Sequence, residues 1–259
     1  KPLTHRKEHS KEILTTIPSM EKHLGDFKLK INSFNINKGQ VIAIMGANGL
    51  GKSTFLNILS GKIKADNSNF KIDNVSYKEQ DLEFEEVTVS EYLTKKEKNI
   101  FTDGWLKSTL IEKLSLGRLY DEKMKFLSGG ELQKVNIAGT LAKDTKIVLM
   151  DEPSAFIDVE DRLKVAEIIK DFAMRKEVCC IIVDHDIQFI DYLADSILVF
   201  DGTPGKSGEV FGPLEKNDGM NKILKNLNIT YRRDTSNRAM INKEGSQLDQ
   251  SQKRNGQYY

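Results

Sequence analysis

The feature that most constrains this chain is a glycine-rich stretch between an apolar run and a helix-like segment. The stretch is Gly46-Ala47-Asn48-Gly49-Leu50-Gly51-Lys52-Ser53-Thr54, between apolar residues 41–45 and residues 55–60. Strand, glycine turn and helix form the context of a phosphate-binding loop. Glycines let backbone N–H groups surround an anion, and the helix adds its positive end. The stretch therefore predicts a nucleotide-binding loop, and the alternative is a chance glycine turn.

Individual residues of this loop have predicted roles toward a nucleotide. Lys52 would reach the β- and γ-phosphates, and the Ser53 hydroxyl would ligate Mg²⁺. Phe27, on a predicted strand at 27–31, is a candidate for stacking on adenine, with an ordinary core position as the alternative. The candidate nucleotide-binding residues of the loop are Gly46, Asn48, Gly49, Gly51, Lys52, Ser53 and Thr54.

Two further segments place polar groups after predicted buried strands. The apolar run at 147–150 ends in Asp151 and Glu152, and the run at 178–183 is followed by His185. Carboxylates at a strand's carboxyl end lie where α/β sheets bind ligands. Asp151 would hold Mg²⁺, and Glu152 would orient and deprotonate the attacking water. His185 would contact the γ-phosphate. The alternatives are an acidic turn and a structural histidine.

A second glycine-containing segment, Leu127-Ser128-Gly129-Gly130-Glu131, precedes a periodic apolar run. Adjacent glycines and a serine at a helix N-terminus can form an anion site. The helix that follows is predicted to place one apolar face toward the core. The residues of that face are Leu132, Val135, Ala138, Leu141 and Ala142.

Composition argues against a membrane-spanning protein and indicates where the chain is located. Of 259 residues, 39% are apolar and 30% charged, with no run near the roughly 20 apolar residues of a membrane span. Cys179 and Cys180 are adjacent in a predicted strand and point to opposite faces, so we expect reduced thiols and a cytoplasmic location. The chain begins with Lys1 rather than Met, so we expect residue 1 to be the edge of a longer protein.

The predicted organisation places a helical lobe within an α/β core. The predicted parts are a leader at 1–24, the core at 25–80 and 140–218, the lobe at 81–139 and a tail at 219–259. Within these parts, we expect 1–16 to be frayed, 70–77 to form an edge strand, 160–174 and 220–227 to be helices, and 232–259 to be poorly packed. Net charge is +1, but residues 222–259 carry eight basic and three acidic residues, so the tail is +5.

The motifs together resemble an ABC-type ATPase domain. They occur in the expected order: the loop 46–54, Gln80, the Leu-Ser-Gly-Gly-Glu segment, residues 147–158 and His185. The resemblance implies an α/β P-loop NTPase core of ABC type, with a mostly parallel sheet, an antiparallel β subdomain and an inserted helical lobe. It implies ATP and Mg²⁺, with Gln80 at the metal.

The same resemblance implies that two cassettes face each other head to tail. Ser128, Gly129 and Gly130 would then serve the γ-phosphate of the opposite cassette, and residues 154–158 would touch that partner.

A closer resemblance is to the second cassette of the RNase L inhibitor proteins, through residues 151–158, 192–195, 199–202, 219–222 and 227–234. These are twin-cassette ATPases that split ribosomes and act in translation initiation. The resemblance implies as partners a second cassette (the N-terminal half of the same protein, or a homodimer), ribosomal subunits and rRNA, and release or initiation factors. The family's iron–sulfur domain and first cassette are not in this sequence, so no iron–sulfur cluster is expected in it.

Some positions depart from the family pattern, and other functions stay open. Asp184 stands where many members carry Glu, Ala47 and Leu50 are unusual in the loop, and Ile17 stands where an aromatic residue is usual. The alternative functions are the ATPase subunit of a membrane transporter and a nucleotide-dependent interaction module with little turnover. Arg232 and Arg233 of the tail either contact rRNA phosphates or belong to a solvated surface.

Overall fold

The computed structural model describes residues 12–259, so the first eleven residues of the predicted leader lie outside the described residues. The described chain divides into two compact units. The first contains residues 12–16, 35–41 and 72–182, and the second contains residues 17–34, 42–71 and 183–259.

Strands and helices follow one another along the described chain. The strands are β1 (Ile13–Ile17), β2 (Met20–Leu24), β3 (Phe27–Ile31), β4 (Phe34–Asn37), β5 (Val41–Met45), β6 (Val75–Lys78), β7 (Ile147–Asp151), β8 (Cys179–Val183), β9 (Ser196–Thr203), β10 (Ser207–Glu215), β11 (Tyr231–Arg233) and β12 (Ala239–Ile241). The helices are α1 (Lys52–Ser60), α2 (Val89–Lys96), α3 (Gly104–Leu106), α4 (Gly129–Ala142), α5 (Val159–Arg175), α6 (Ile187–Leu193), α7 (Lys216–Leu227) and α8 (Gln247–Arg254). None of these helices is both long and apolar enough to cross a membrane.

In the first unit, strands β8, β7 and β6 are neighbours in that order. Every residue of β7 and β8 is buried, as expected for continuous apolar runs, and β6 runs parallel to β7 with Lys78 opposite Met150. Cys179 and Cys180 are buried and unbridged, as predicted. Helix α5 buries the periodic positions Val165, Ile168, Ile169 and Phe172.

The segment between β6 and α4 is helical, in short pieces. Thr88 and Glu91 form a capping box at the start of α2, and α3 continues into a π-helical segment, Lys107–Glu112. Leu106, Leu110 and Leu114, which recur at the four-residue spacing of a helix face, are all buried. Helix α4 is buried on more than the predicted apolar face, because Gln133 and Asn136 are buried too.

In the second unit, five strands are ordered β2-β3-β10-β9-β5. Strand β5 runs parallel to β9, with Ile44 opposite Leu198, and β10 pairs antiparallel with β9 and parallel with β3. All five residues of β5 are buried, and this strand leads directly into the glycine-rich loop and α1. The predicted strand–turn–helix context of the loop is therefore confirmed.

Two expectations about individual elements were wrong, and one strand was not predicted. Residues 13–16 of the predicted frayed leader belong to β1. The predicted strand at 70–77 is reduced to β6, because Asn74 has a φ of 49°, which is incompatible with extended backbone. Strand β10 lies in a Gly- and Pro-containing region for which no prediction was made from the sequence, and its backbone pairs with β9 and β3 on either side.

The last 28 residues are folded rather than poorly packed. Strands β11 and β12 form an antiparallel pair, and α8 follows them. Their contacts include a buried polar cluster in which the Thr230 hydroxyl donates to Asp249 Oδ1 at 2.6 Å and Asn242 Nδ2 donates to Thr230 Oγ1 at 2.9 Å. Hydropathy could not predict that this segment is folded, because the side chains in its interior are polar.

Candidate functional site

The glycine-rich loop of the second unit is shaped by close backbone approaches. A Cβ at Gly46 would lie 2.6 Å from the Phe200 carbonyl oxygen, so only glycine fits there. Gly51 has a φ of 92° and precedes α1, which begins with no side-chain cap among the described residues. The first amide groups of α1 can therefore serve an anion, as predicted for a phosphate-binding loop.

Lys52 lies at the first position of α1, with only 8% of its surface exposed. Its ammonium donates a hydrogen bond of 2.5 Å to the Gly46 carbonyl oxygen, which holds the charge over the loop. Ser53, Asn48 and Gly49 are exposed around it. The loop residues proposed from sequence thus lie together, and their contacts with nucleotide remain predictions.

Phe27 and His185 also belong to the second unit. The Phe27 ring packs beside the loop, because a Cβ at Gly51 would lie 3.1 Å from its ring carbons. His185 is exposed directly after β8, next to Asp184, whose buried Oδ1 accepts the Asp186 amide at 2.9 Å. Adenine stacking by Phe27 and γ-phosphate contact by His185 remain predictions.

In the first unit, the acidic pair is held by a buried cation that sequence reasoning missed. Asp151 ends β7 with 3% of its surface exposed, and Lys78 of the neighbouring β6 is equally buried. Lys78 Nζ donates to the Asp151 carbonyl oxygen at 2.8 Å. Burial raises the pKa of Tyr77, and the negative charges of Asp151 and Glu79 raise it further. Gln80 is exposed just beyond the end of β6.

Glu152 has a backbone conformation that non-glycine residues rarely adopt. Its φ is 52°, in the left-handed region, which costs about 1–3 kcal/mol and persists only where the surrounding structure holds it. Its carbonyl oxygen accepts hydrogen bonds from the Ala155 amide at 3.1 Å and from Gln133 Nε2 at 2.8 Å. Gln133, on α4, is fully buried and was not among the predicted site residues.

The Ser-Gly-Gly segment forms the N-terminus of α4. Ser128 Oγ accepts the Glu131 amide at 3.2 Å, and Glu131 Oε1 accepts the Ser128 amide at 3.0 Å. The Ser128 backbone hydrogen bond, together with Arg118 at 2.9 Å, lowers the pKa of Glu131. Ser128 and Gly129 are exposed, and Gly130 is half-buried. This end of α4 is therefore fixed and also accessible.

The second glycine of that segment is required by a neighbouring loop. A Cβ at Gly130 would lie 2.8 Å from the Phe156 carbonyl oxygen, and one at Gly129 would contact the Phe156 ring at 3.6 Å. Phe156 has a φ of 63° and is 69% exposed. Residues 128–130 and 154–158 are thus packed together in the first unit.

The C-terminal arginines have intramolecular partners that sequence reasoning did not predict. The Arg233 guanidinium donates to both Asp191 oxygens at 2.5 and 2.7 Å, and this pairing raises the pKa of Arg233. Arg233 also lies over the Tyr259 ring. Arg232 Nη1 donates to the Ile241 carbonyl and to Asn242 Oδ1. These two side chains therefore hold parts of the tail in place, and contact between them and rRNA stays a prediction.

Comparison with known proteins places the chain in a family. The sequence model of the family described as ABC transporter matches residues 29–155. ABC transporter E family member 3 of Arabidopsis thaliana is 36% identical over 159 residues, which cover 58% of this chain and 88% of that protein. The chain belongs to the ABC-type ATPases. Membership makes this cassette a nucleotide-binding ATPase domain and confirms the predicted enzyme class.

Two longer relatives match nearly the whole cassette. An uncharacterized ABC transporter ATP-binding protein of Methanocaldococcus jannaschii is 46% identical over 254 residues, covering 96% of this chain and 42% of that protein. Translation initiation factor RLI1 of Chaetomium thermophilum is 40% identical over 245 residues, covering 93% of this chain and 40% of that protein. The cassette thus spans about two fifths of the length of these relatives.

Solved structures confirm the predicted fold class and the resemblance to the RNase L inhibitor proteins. The archaeal ribosome recycling factor aABCE1, solved in complex with the ribosomal stalk protein aP1, is 40% identical with a TM-score of 0.93, and the match covers 100% of this chain and 51% of that one. The RNase-L Inhibitor structure is 41% identical with a TM-score of 0.92, and covers 97% of this chain and 50% of that one.

Proposed function

We propose that this chain is the second ATP-hydrolysing cassette of a cytoplasmic twin-cassette ABC ATPase that splits and recycles ribosomes and acts in translation initiation. The observation that carries the proposal is the extent of the structural match. The similarity to the archaeal recycling factor covers the whole chain, including the folded tail, whereas the general family model ends at residue 155. The name of the Chaetomium relative, a translation initiation factor, agrees with the same role.

The loop residues and the acidic strand end supply the chemistry of ATP binding. Lys52 and the amides of residues 46–54 bind the phosphates. Ser53, Gln80 and Asp151 hold Mg²⁺, and their hydroxyl, amide and carboxylate oxygens are the hard ligands that this ion prefers. When bound, Mg²⁺ neutralises charge that develops on the phosphates.

Glu152 acts as the general base in this proposal. Its carboxylate orients the attacking water and takes a proton from it, while His185 contacts the γ-phosphate. The hydrogen bonds to the Glu152 carbonyl oxygen hold its backbone in one conformation. A fixed base lowers the cost of reaching the reactive geometry.

Pairing of cassettes completes the hydrolytic site. The accessible N-terminus of α4, residues 128–130, presents amide groups and the Ser128 side chain to the γ-phosphate of an opposite cassette. ATP then closes the head-to-tail pair, and hydrolysis reopens it. The second cassette is either the N-terminal half of the same protein or another copy.

The basic tail supplies a surface for rRNA phosphates. Because Arg232 and Arg233 have intramolecular partners, the contact falls to other exposed basic residues: Lys225, Lys243 and Arg254. Such contacts release counterions, so ribosome binding should weaken as salt concentration rises.

Cosedimentation tests this function. The natural full-length protein carrying Glu152→Gln, incubated with ATP, should cosediment with ribosomal subunits more than the same protein with ADP. The triple Lys225→Ala, Lys243→Ala, Arg254→Ala change should lower the slope of log binding against log salt by about three. The matched control replaces the exposed lysines Lys64, Lys98 and Lys107 with Ala.

Two results would contradict the proposal. Equal binding to ribosomal subunits with ATP and with ADP would contradict the proposal that nucleotide closes and reopens the cassette pair. Co-purification with a membrane permease, with no ribosomal subunits bound, would establish the transporter alternative.

A further inference from the structure

Gln133 links the helix that begins at the Ser-Gly-Gly segment to the proposed catalytic base. It lies on α4, fully buried, five residues after Ser128. Its Nε2 donates a hydrogen bond of 2.8 Å to the backbone carbonyl oxygen of Glu152. Two other buried polar side chains of α4 have different partners: Asn136 Nδ2 donates to the Glu83 carbonyl oxygen, and the Thr140 hydroxyl donates to the Asn136 carbonyl oxygen.

The bond acts on a backbone that needs support. Glu152 lies in the left-handed region with a φ of 52°. Such conformations persist where the surrounding structure over-determines them, and they concentrate at functional sites. The Ala155 amide and Gln133 Nε2 together engage the Glu152 carbonyl oxygen, so they set the orientation of the peptide group next to the proposed base.

Stability alone does not account for an amide at position 133. Among the described residues, Gln133 Oε1 is buried and has no hydrogen-bond partner. A buried polar atom without a partner is unfavourable compared with an apolar side chain of the same shape. The unpartnered Oε1 therefore offsets part of the stability gained from the Nε2 hydrogen bond, and what the amide supplies besides is the position of the Glu152 backbone.

The other end of the link is the accessible start of α4. Ser128 caps this helix, and Gly130 packs against the Phe156 backbone. An α-helix transmits small displacements along its axis, because its backbone hydrogen bonds keep it stiff. A displacement at residues 128–130 therefore reaches the Glu152 carbonyl through the Gln133 side chain, about one turn further along α4.

We infer that Gln133 is a positioning residue that couples the Ser-Gly-Gly end of α4 to the base Glu152 of the same chain. This rests on the role that the proposed function gives Glu152. In a cassette pair, engagement of residues 128–130 by the opposite cassette's nucleotide then adjusts the base that serves the other nucleotide. The two hydrolytic sites are thereby linked within each chain.

The first test replaces the amide without emptying the space it fills. In the natural full-length protein, Gln133→Met should lower kcat for ATP about tenfold or more, because a displaced base is misaligned with its water. The dissociation constant for ATP should change by less than about twofold. The melting temperature should change little, because loss of the Nε2 hydrogen bond and removal of the unpartnered Oε1 act in opposite directions.

Two further variants test whether the loss of kcat is specific to the Gln133 amide and provide a substitute if Gln133→Met does not fold. Thr140→Val removes one buried hydroxyl from the same helix without touching Glu152, and it should leave kcat within about twofold of the natural protein. If Gln133→Met does not fold, Gln133→Asn retains a buried amide that is too short to reach the Glu152 carbonyl and should give the same loss of kcat.

A double substitution separates positioning of the base from other effects. In a Glu152→Gln background the base is already absent, so adding Gln133→Met should change residual hydrolysis by less than about twofold. A further tenfold loss there would overturn the inference, as would unaltered kcat in Gln133→Met alone. If Glu152→Gln itself leaves turnover unchanged, the proposed role of Glu152 fails first, and that outcome is distinct from the other two.

Discussion

At the scale of single residues, substitutions of Glu152 and Lys52 should affect different steps, hydrolysis of ATP in the first case and binding of ATP in the second. Glu152→Gln should lower ATP hydrolysis by about 10²–10⁴-fold while ATP binding is retained, because only the proton acceptor is lost. Lys52→Ala should instead weaken ATP binding, because its buried ammonium lies over the loop. Steady-state turnover and calorimetric ATP titration distinguish the two. Undiminished turnover in Glu152→Gln would exclude this residue as the base.

The same scale shows why some residues near the acidic pair could not be predicted. Lys78 and Gln133 donate hydrogen bonds to backbone carbonyl oxygens, those of Asp151 and Glu152 respectively. A sequence motif is defined by side-chain types at fixed spacing. Every residue has a backbone carbonyl, so the identity of a residue does not show which carbonyl accepts a hydrogen bond. Lys78 and Gln133 are 73 and 19 residues from their partners, so no local pattern connects them.

At the scale of elements, the tail is held by one buried carboxylate. Asp249 accepts the Thr230 hydroxyl, the Gly245 amide at 2.9 Å and the Lys253 ammonium at 3.1 Å. The Thr230 hydrogen bond, followed by that of Gly245, lowers the pKa of Asp249. A carboxyl whose pKa is lowered on folding stabilises the fold above its ordinary pKa, and that contribution is lost as pH falls through the folded value.

Asp249→Asn should therefore loosen the segment from Thr230 to Tyr259 at neutral pH, because an amide cannot accept from every donor around it. Hydrogen exchange should become faster in β11, β12 and α8. In the natural protein, the same segment should lose protection in acid before the buried strands do. Glu244→Gln, at an exposed carboxylate nearby, is the matched control and should leave exchange unchanged. Equal exchange in both variants would contradict this role for Asp249.

At the scale of the whole molecule, the cassette carries a nucleotide loop and an accessible Ser-Gly-Gly segment that we propose serves the nucleotide of another cassette. The 259-residue chain alone should therefore bind ATP yet hydrolyse it at least about 10²-fold more slowly than when paired, because the transition state lacks the opposite cassette's donors. Turnover per site, measured with and without the proposed partner cassette, checks this. Full activity of a monomeric chain would show that one cassette suffices.

The sequence by itself determined the nucleotide loop, the α/β character of the core and the strand that ends in Asp151. Those features depend on neighbours in the chain: glycines where the backbone must turn, and apolar runs where a strand is buried. Family resemblance then supplied the ATPase class, which the comparisons confirm.

Tertiary structure alone decided that the tail is folded, where β10 lies in the sheet, and which side chain donates to the Glu152 carbonyl. Each depends on partners that lie far apart in the sequence, such as Thr230 with Asp249 or Gln133 with Glu152. Buried hydrogen bonds of this kind are directional and involve polar residues, which hydropathy assigns to the surface. Their positions follow only when the chain has folded and brought donor and acceptor together.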